Sequence, residues 1–132
     1  MKNVEKVHAV YEAFGRGDVP AILELLADDV EWEYGTAGSE VPWLKRRHGR
    51  ADVADFFQSL TELEFHKFVP TTFLEGTDVV VALVDLEATV KRTGQKISEQ
   101  DEAHIWRFDA RGRVSRFRHG VDTHRHFEAF RG

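Results

Sequence analysis

The chain has 132 residues and a formal net charge of −5 at pH 7; 42% of its residues are hydrophobic, 31% are charged, and it contains no cysteine. These values are typical of a soluble globular protein, so we expect one domain over residues 1–132 and exclude a disulfide framework and thiol chemistry. Because no apolar run approaches ~20 residues and the N-terminus lacks the apolar core of a secretory signal, we expect a cytoplasmic protein that makes no membrane contact.

The N-terminal part of the sequence has the spacing of amphipathic helices. Apolar residues recur at intervals of three and four over residues 3–15, which predicts a first helix. Asp18 is a suitable N-cap and Pro20 fits the first turn of a second helix, which we expect to end at residues 27–29. A third helix is predicted over residues 51–63, where apolar side chains again share one face.

The segment between the second and third predicted helices is less regular. Residues 30–34 alternate between apolar and polar side chains, which predicts a strand. Residues 35–49 contain glycines, a proline and a basic cluster without periodicity, so we predict a loop, and loops often carry functional residues. Trp43 follows Pro42 in this loop and is a candidate to close over a ligand.

From residue 64 onward the apolar pattern changes to a period of two, which is typical of strands. Pro70 predicts a bend or an edge position in the first of them. Three helices followed by such a meander predict an α+β fold, in which a strongly curved antiparallel sheet packs around the helices as a cone open at one end. The predicted elements are strands at residues 65–75, 79–91, 95–108 and 114–121 and a short C-terminal helix at residues 123–130.

Polar residues interrupt the apolar face of the last two predicted strands. Glu102 and His104 lie on one strand and His119 on the next. If the chain turns tightly at residues 109–112, Glu102 lies opposite His119, with His104 one pair nearer the turn. A carboxylate and two imidazoles on an apolar wall are costly unless they have partners, so we predict a functional site here.

Three interpretations of this cluster remain open. In the first, His119 transfers a proton, Glu102 orients it, and His104 and Tyr11 bind an oxyanion. In the second, the acid and the imidazole form a buried ion pair that only fixes the strand register. In the third, two histidines and a carboxylate bind a metal ion. No metal-binding motif supports the third interpretation, so we predict neither a metal nor a cofactor.

Asp122 precedes the last predicted helix and has two interpretations. Its side chain can cap that helix by accepting a backbone N–H, or it can act as a catalytic acid if it faces the mouth of the cone. His124 and His126 follow it, and we expect both at the surface.

The aromatic residues supply candidates for ligand binding. These are Tyr11, Trp32, Tyr34, Trp43, Trp106 and Phe117.

The expected partners follow from apolar surface and charge. The outward face of the strand at residues 79–91 begins with Val79, Val81 and Leu83, which predicts a homodimer formed through the sheet. Residues 103–132 carry 7 Lys and Arg against 3 Asp and Glu, but the chain as a whole is acidic, so we do not predict nucleic-acid binding. The apolar, aromatic wall around the polar cluster predicts a small hydrophobic or polycyclic ligand.

Four segments of the sequence carry a family likeness: residues 11–18 (YEAFGRGD), 25–32 (LLADDVEW), 48–57 (HGRADVADFF) and 104–109 (HIWRFD). Through them nearly the whole chain resembles the nuclear-transport-factor-2-like superfamily, in particular its SnoaL-like and ketosteroid-isomerase-related branch. The resemblance implies the cone fold. It does not imply one activity, because this superfamily includes isomerases, cyclases, epoxide hydrolases, dehydratases and non-catalytic binders.

The resemblance can be carried to single positions. His104 matches the protonated acid of the isomerase, and the base of the isomerase falls near Glu33 or Tyr34. The oxyanion-binding tyrosine falls on Val10, one position before Tyr11. Because this trio is not reproduced, steroid isomerisation is not predicted.

Two other branches of the superfamily can be compared in the same way. Asp122 is the candidate match for the acid–base aspartate of SnoaL-like cyclases. Asp101 has Glu99 where epoxide hydrolases have an arginine, which argues against epoxide hydrolysis.

The sequence therefore predicts a small-molecule enzyme of the isomerase, cyclase or hydratase type that uses cofactor-free acid–base chemistry. The alternative is a non-catalytic ligand-binding or accessory protein. The enzyme requires a cavity that reaches solvent and at least one imidazole nitrogen free to meet a substrate. The binding protein predicts a closed or dry cone in which the acid and the imidazole are fully paired with protein groups.

Overall fold

The structure is a computed structural model and describes residues 1–35 and 39–132. Within these residues the helices are α1 (Asn3–Gly15), α2 (Val19–Glu24), α3 (Arg50–Ser59) and α4 (Thr123–Arg131), with short 3-10 turns at Pro42–Leu44 and Leu60–Glu62. The strands are β1 (Leu26–Trp32), β2 (Arg47–His48), β3 (Leu63–Glu75), β4 (Val79–Val90), β5 (Lys96–Phe108) and β6 (Val114–Gly120). None of the described helices is both long enough and apolar enough to cross a membrane.

The strands of the described residues form one curved sheet that does not close, in the order β2-β1-β6-β5-β4-β3. The strands β3 to β6 form an antiparallel meander, as predicted. The pair β1 and β6 runs parallel, because the chain returns from β1 through α3 and the whole meander before it reaches β6. Pro70 lies on the edge strand β3, next to a shift in register with β4. The predicted α+β fold with a curved sheet is confirmed.

Helices α1 and α3 cover the concave face of the sheet, because each carries apolar residues on the side that faces it. Helix α1 buries Val7, Val10 and Ala13, and α3 buries Val53 and Phe56. Each fully buried aliphatic side chain contributes about 1.5–3 kcal/mol through its removal from water. The sheet presents the matching surface with the inward residues of β4, whose alternation predicted it. These are Val80, Ala82, Val84, Leu86, Ala88 and Val90.

The largest error in the predicted elements lies between the second helix and the first strand. Helix α2 ends at Glu24, and β1 begins at Leu26, so residues 27–29 belong to a strand rather than to a helix end. The N–H of Val114 donates to the carbonyl of Leu25 at 3.0 Å, which ties this segment to β6. Pairing with a distant strand therefore overrides the local helical pattern.

The predicted loop at residues 35–49 also contains regular structure. It includes β2 and one of the 3-10 turns, and β2 pairs with β1 through Glu31 and His48. Residues 36–38 of this predicted loop lie outside the described residues.

Candidate active site

A cavity lies between α1, α3 and the concave face of the sheet. The space open to water-sized molecules is about 70 Å³, enough for several water molecules. Its wall is mostly aromatic and aliphatic. The apolar lining residues that keep some exposure include Phe14, Phe57, Leu60, Phe65 and Phe68, which indicates that the cavity reaches solvent between α1, α3 and β3. The titratable lining residues are Tyr11, Glu102, His104, His119 and His126.

The register of the β5–β6 hairpin differs from the predicted one by two residues. His104 lies opposite His119, and Glu102 lies beyond the paired segment. Two extra residues cause the shift. The turn is one residue longer than predicted, because Phe108 pairs with Val114 and not with Arg113, and Ser115 is a bulge, because Arg107 pairs with Arg116. A shift of two residues keeps every side chain on its face, and the predicted acid and both imidazoles still line one cavity.

A chain of hydrogen bonds runs from α1 to Glu102. Trp106 Nε1 donates to the hydroxyl of Tyr11 at 3.1 Å, and this hydroxyl lies 2.6 Å from His104 Nδ1. Because the tyrosine oxygen already accepts from Trp106, its proton is donated to His104 Nδ1. His104 Nε2 then carries the ring proton and donates to Glu102 Oε1 at 2.7 Å. His104 is therefore a neutral imidazole with both nitrogens occupied.

The pKa directions agree with this assignment of protons. Burial lowers the pKa of His104 and outweighs the opposing hydrogen bond to Glu102. Burial alone would raise the pKa of Glu102, but the hydrogen bond from His104 and the nearby charge of His119 outweigh burial. The pKa of Glu102 is therefore lowered, which favours the ionised carboxylate. Burial also raises the pKa of Tyr11, which keeps its hydroxyl protonated.

One oxygen of the Glu102 carboxylate has no partner. Oε1 accepts from His104, whereas Oε2 is buried and has no hydrogen-bond partner among residues 1–35 and 39–132. The whole residue is only 4% exposed. A buried, ionised oxygen without a donor is unusual in folded proteins and indicates a position where a ligand supplies the missing hydrogen bond.

His119 is held by Glu33 rather than by Glu102. Its Nδ1 bonds to Glu33 Oε1, and its backbone N–H donates to the same oxygen at 3.2 Å. Burial alone would lower the pKa of His119, but the charge and the hydrogen bond of Glu33 raise it more, so the protonated form is favoured. Within the described residues Nε2 of His119 has no hydrogen-bond partner. The sequence-based role of Glu102 as the group that orients His119 is therefore wrong.

Glu33 is the site residue that sequence analysis did not select. Alternation along β1 places Trp32 inside, so Glu33 should face outward. Instead its backbone has a φ of 59°, in the left-handed region, and the side chain turns inward and is 3% exposed. The only signal for it was the family resemblance, which put the base of ketosteroid isomerase near this position.

A second buried group joins α4 to the segment after β1. Trp43 Nε1 donates to His126 Nδ1 at 2.9 Å, so Nε2 of His126 carries the proton and donates to Glu99 Oε1 at 2.5 Å. The expectation that His126 lies at the surface is wrong, since it is 4% exposed and lines the cavity. Its neighbour His124 is exposed, as expected.

The aromatic residues selected from the sequence fall into two groups. Tyr11, Trp32, Trp43, Trp106 and Phe117 line the cavity. Tyr34 is not among the lining residues: its hydroxyl lies 3.4 Å from Arg107 Nε, and its ring lies 5.6 and 5.5 Å from the guanidinium carbons of Arg116 and Arg118. The left-handed turn at Glu33 reverses the alternation that would have brought Tyr34 inward.

Asp122 does not line the cavity either. Its carboxylate accepts the backbone N–H of Arg125 at 3.1 Å and stays half-exposed, so it caps α4. Of the two interpretations left open from the sequence, the structure supports the cap and not the catalytic acid.

Two groups of side chains have the composition of metal sites. Potential ligand atoms of Glu102, His104 and His119 lie within 4.8 Å of one another, and so do those of Glu99, Glu102 and His126. However, both ring nitrogens of His104 and of His126 take part in hydrogen bonds. A metal ion would have to break one of these bonds in either group, so the arrangement fits proton transfer better than metal binding.

The family model for SnoaL-like domains matches residues 7–117. The chain belongs to the SnoaL-like domain family. An NTF2-like protein of unknown function from Burkholderia pseudomallei K96243 is 28% identical, with all of both chains covered and a TM-score of 0.84. TerC, co-crystallised with polyporic acid, is 27% identical over 98% of both chains, with a TM-score of 0.76.

A more distant SnoaL-like protein shares the fold. It is described as a SnoaL-like polyketide cyclase from Mesorhizobium loti, and it is 20% identical over 92% of this chain and 100% of its own, with a TM-score of 0.72. At that identity the likeness shows the fold alone. No curated protein matches the sequence significantly. The family resemblance found in the sequence is thus confirmed.

Proposed function

We propose that this protein is a small-molecule enzyme of the isomerase, cyclase or hydratase type, in which Glu102 and His119 exchange protons with a bound substrate. One observation carries the proposal. An ionised carboxylate with a free oxygen and an imidazole with a free nitrogen line the same apolar cavity, with potential ligand atoms within 4.8 Å of each other. Such a pair can accept a proton at one atom of a substrate and stabilise negative charge at another.

The two residues have complementary roles in this proposal. Glu102 Oε2 accepts a proton from the substrate, and the protonated His119 donates a hydrogen bond or a proton to the oxygen on which charge develops. Glu33 orients His119 and favours its protonated form. Each positioned acid or base typically accelerates a reaction by about 10²–10⁴-fold. After His119 has given a proton to the substrate, the proton on Glu102 can return to His119 through a single water molecule. Potential ligand atoms of the two side chains lie within 4.8 Å of each other, which is close enough for one water molecule to bridge them.

His104 and Tyr11 support Glu102 instead of binding an oxyanion. The hydroxyl proton of Tyr11 is donated to His104, and both nitrogens of His104 are occupied, so neither has a donor left for a substrate. They are positioning residues: the hydrogen bond from His104 to Oε1 holds the carboxylate so that Oε2 stays free. Because His104 donates this hydrogen bond, it also lowers the pKa of Glu102, which keeps the base ionised at neutral pH.

The cavity limits the size of the substrate. The space of about 70 Å³ is smaller than the ~150 Å³ of a cavity that holds benzene. Even a single ring therefore requires the phenylalanines at the mouth, such as Phe14 and Phe68, to move, and a polycyclic ligand requires a larger movement. TerC, which is similar over almost its whole length, was co-crystallised with polyporic acid. Oxygenated ring compounds, with polyporic acid as one of them, are therefore the first ligands to test.

The test uses hydrogen–deuterium exchange in D₂O of a cyclic 1,2-diketone, a ring compound whose enol form carries a hydroxyl group, followed by NMR. We expect the protein to accelerate exchange at the carbon next to the carbonyl, and His119→Ala to lose most of that acceleration. His124→Ala is the matched control, because this histidine is exposed and lies outside the cavity. Equal rates in the wild type and in His119→Ala would contradict the proposal.

A non-catalytic ligand-binding protein is the second candidate. It is favoured by the small size of the cavity and by the complete pairing of His104 with protein groups. Thermal-shift measurements separate the two functions. Ligands that raise the melting temperature without any exchange in D₂O would assign binding alone.

We also propose that the convex face of the sheet forms a homodimer. Val79, Val81 and Leu83 are half-buried on this face, and the apolar surface extends to Leu74, which is 56% exposed. Sedimentation should give twice the monomer mass for the wild type and the monomer mass for Val81→Lys. A monomeric wild type at micromolar concentration would contradict this proposal.

A further inference from the structure

We infer that Glu102 recognises an acidic hydroxyl group, so that the substrate of the proposed reaction is an enol or a phenol-like ring compound rather than a simple ketone. This inference rests on the proposed function and narrows it. It concerns the proton that Glu102 removes, which we assign to oxygen and not to carbon.

Glu102 Oε2 lacks a hydrogen-bond donor within the described residues. This oxygen is buried, belongs to an ionised carboxylate, and has no hydrogen-bond partner among residues 1–35 and 39–132. Two nearby donors are already used, because His104 Nε2–H points to Oε1 and His126 Nε2–H points to Glu99. The free nitrogen of His119 forms no hydrogen bond with Oε2. The protein therefore leaves one place for a donor that must come from a molecule in the cavity.

A hydroxyl group can serve as the missing donor, whereas a ketone or an ether cannot. A simple ketone offers only acceptors and C–H groups, and a C–H group forms at most a weak hydrogen bond. An ether offers an acceptor alone. A hydroxyl group both donates and accepts, so it can satisfy Oε2 and at the same time accept from the free nitrogen of His119.

The distance between the Glu102 and His119 side chains fits one hydroxyl oxygen that bonds to both. An oxygen that forms two hydrogen bonds of about 2.7 Å at an angle of about 120° joins atoms that are just under 5 Å apart. A carboxylate oxygen of Glu102 and a ring nitrogen of His119 lie within 4.8 Å of each other. One hydroxyl oxygen can thus lie between the two side chains, donate its hydrogen to Glu102 and accept a hydrogen bond from His119.

The chemistry of this arrangement is the ionisation of the hydroxyl group. The O–H bond breaks, its proton passes to Glu102 Oε2, and the electron pair stays on the oxygen, where the N–H of His119 stabilises it. An enol or a phenol forms such an anion far more readily than an aliphatic alcohol does. An enolate formed in this way carries electron density on carbon, which an isomerase or a cyclase can use.

Phenol and anisole provide the comparison, because they share a single ring and anisole has a methyl group in place of the hydroxyl hydrogen. A preference that comes only from the size of this methyl group would persist in Glu102→Gln. Binding is measured by NMR titration. We expect phenol to bind roughly 10- to 100-fold more tightly than anisole to the wild type, since anisole leaves Oε2 unpaired. In Glu102→Gln, which keeps the shape of the side chain, the preference should fall to within about threefold. Glu87→Gln, on the exposed face of β4, should retain the full preference.

The outcomes distinguish this inference from the proposed function. Equal binding of phenol and anisole to the wild type, with binding lost in His119→Ala, would overturn the inference and leave the proposed site intact. Binding that ignores both His119 and Glu102 would overturn both. The comparison in the wild type needs no variant, so equal binding would overturn the inference even if Glu102→Gln does not fold.

Two further results would count against the inference. Zinc that binds in a ratio of one to one and displaces phenol would assign Oε2 to a metal ion, in line with the composition of the cluster. Failure of phenol to bind at about 10 mM, where a well-placed fragment of this size is detectable, would show that the cavity does not accept a ring hydroxyl.

Discussion

Two neighbouring Glu–His pairs place both histidines at the same cavity, and the pKa values of these histidines shift in opposite directions. His104 is paired with Glu102 and His119 with Glu33, and the two imidazole rings are perpendicular with centroids 4.9 Å apart. Yet the pKa of His104 is lowered and that of His119 is raised. Contact with a carboxylate therefore does not decide the charge of a buried histidine.

The difference lies in what else surrounds each ring. For both histidines burial is the largest influence, and it favours the neutral form. For His104 the hydrogen bond to Glu102 and the charges of Glu102 and Glu33 do not outweigh burial, and the nearby charge of His119 adds to the effect of burial. His119 is supported by Glu33 and by the charges of Glu102 and Glu99. The charged histidine thus makes its neighbour neutral, and the pair separates into an acid and a structural group.

Glu33→Gln breaks the comparison most strongly. Removing the carboxylate leaves His119 buried without its counter-charge, and breaking a buried ion pair costs about 3–5 kcal/mol. The pKa of His119 should then fall, because burial remains and only the charges of Glu102 and Glu99 still oppose it. Urea denaturation measures the loss of stability, and NMR titration of the ring protons measures the pKa.

Glu31→Gln is the matched control for this variant. Glu31 lies two residues before Glu33, in β1, but its ion pair with Arg116 at 3.6 Å is about half-exposed on both sides. Exposed pairs of this kind contribute at most about 1 kcal/mol. Similar losses of stability in Glu31→Gln and Glu33→Gln would contradict the assignment of Glu33 as the residue that sets the charge of His119.

Tyr11→Phe tests the other pair. The change leaves both Trp106 Nε1 and His104 Nδ1 without partners, and each buried unpaired group costs about 1–3 kcal/mol. We expect a loss of stability of at least this size, with the ring proton of His104 still on Nε2, because this N–H continues to donate to Glu102. Tyr34→Phe, the other tyrosine, loses only a contact of 3.4 Å to Arg107 on the exposed face and should change stability by less than about 0.5 kcal/mol. Equal effects would contradict the hydrogen-bond chain.

The β5–β6 hairpin shows how far alternation can predict a site. The face of each residue follows from a period of two, so the gathering of Glu102, His104 and His119 at one cavity could be predicted. The partner of each residue depends on the turn and on the bulge at Ser115, which leave no mark in the pattern. The prediction therefore found the right residues and paired them incorrectly.

Glu33 and His126 show two ways in which a pattern fails. The side chain of Glu33 leaves its expected face because a single residue adopts a positive φ, and nothing in the sequence marks a glutamate for that conformation. The sequence leads us to expect His126 at the surface, but Trp43 and Glu99 from distant parts of the chain form hydrogen bonds with both of its nitrogens. Contacts between distant segments cannot be derived from local periodicity.

The pH dependence of stability sharpens the comparison. A histidine with a raised pKa contributes stability that is complete below its unfolded value of about 6.5 and is lost as the pH rises through its folded value. A histidine with a lowered pKa contributes stability above about 6.5 that is lost as the pH falls through its folded value. His119 should thus weaken the fold on the alkaline side and His104 on the acid side. Each loss amounts to about 1.4 kcal/mol for every pH unit that separates the folded pKa from the unfolded pKa of that histidine.

Unfolding free energies measured between pH 5 and pH 9 test these two slopes. Glu33→Gln should reduce the alkaline loss, because the pKa of His119 falls, and leave the acid loss in place. A wild type whose stability rises steadily from pH 6.5 to pH 9 would contradict the assignment of His119 as the protonated member.

Trp43→Phe has the smallest expected effect and concerns the third buried pair, Glu99 and His126. Trp43 donates to His126 Nδ1, whereas the Nε1 of Trp32 has no hydrogen-bond partner among the described residues. Both tryptophans are almost fully buried and line the cavity, so replacement by phenylalanine removes similar packing from each. Trp43→Phe should therefore cost about 1 kcal/mol more than Trp32→Phe, as measured by urea denaturation. Equal costs would mean that His126 takes its orientation from Glu99 alone, and the link between α4 and the segment after β1 would then be packing rather than a hydrogen bond.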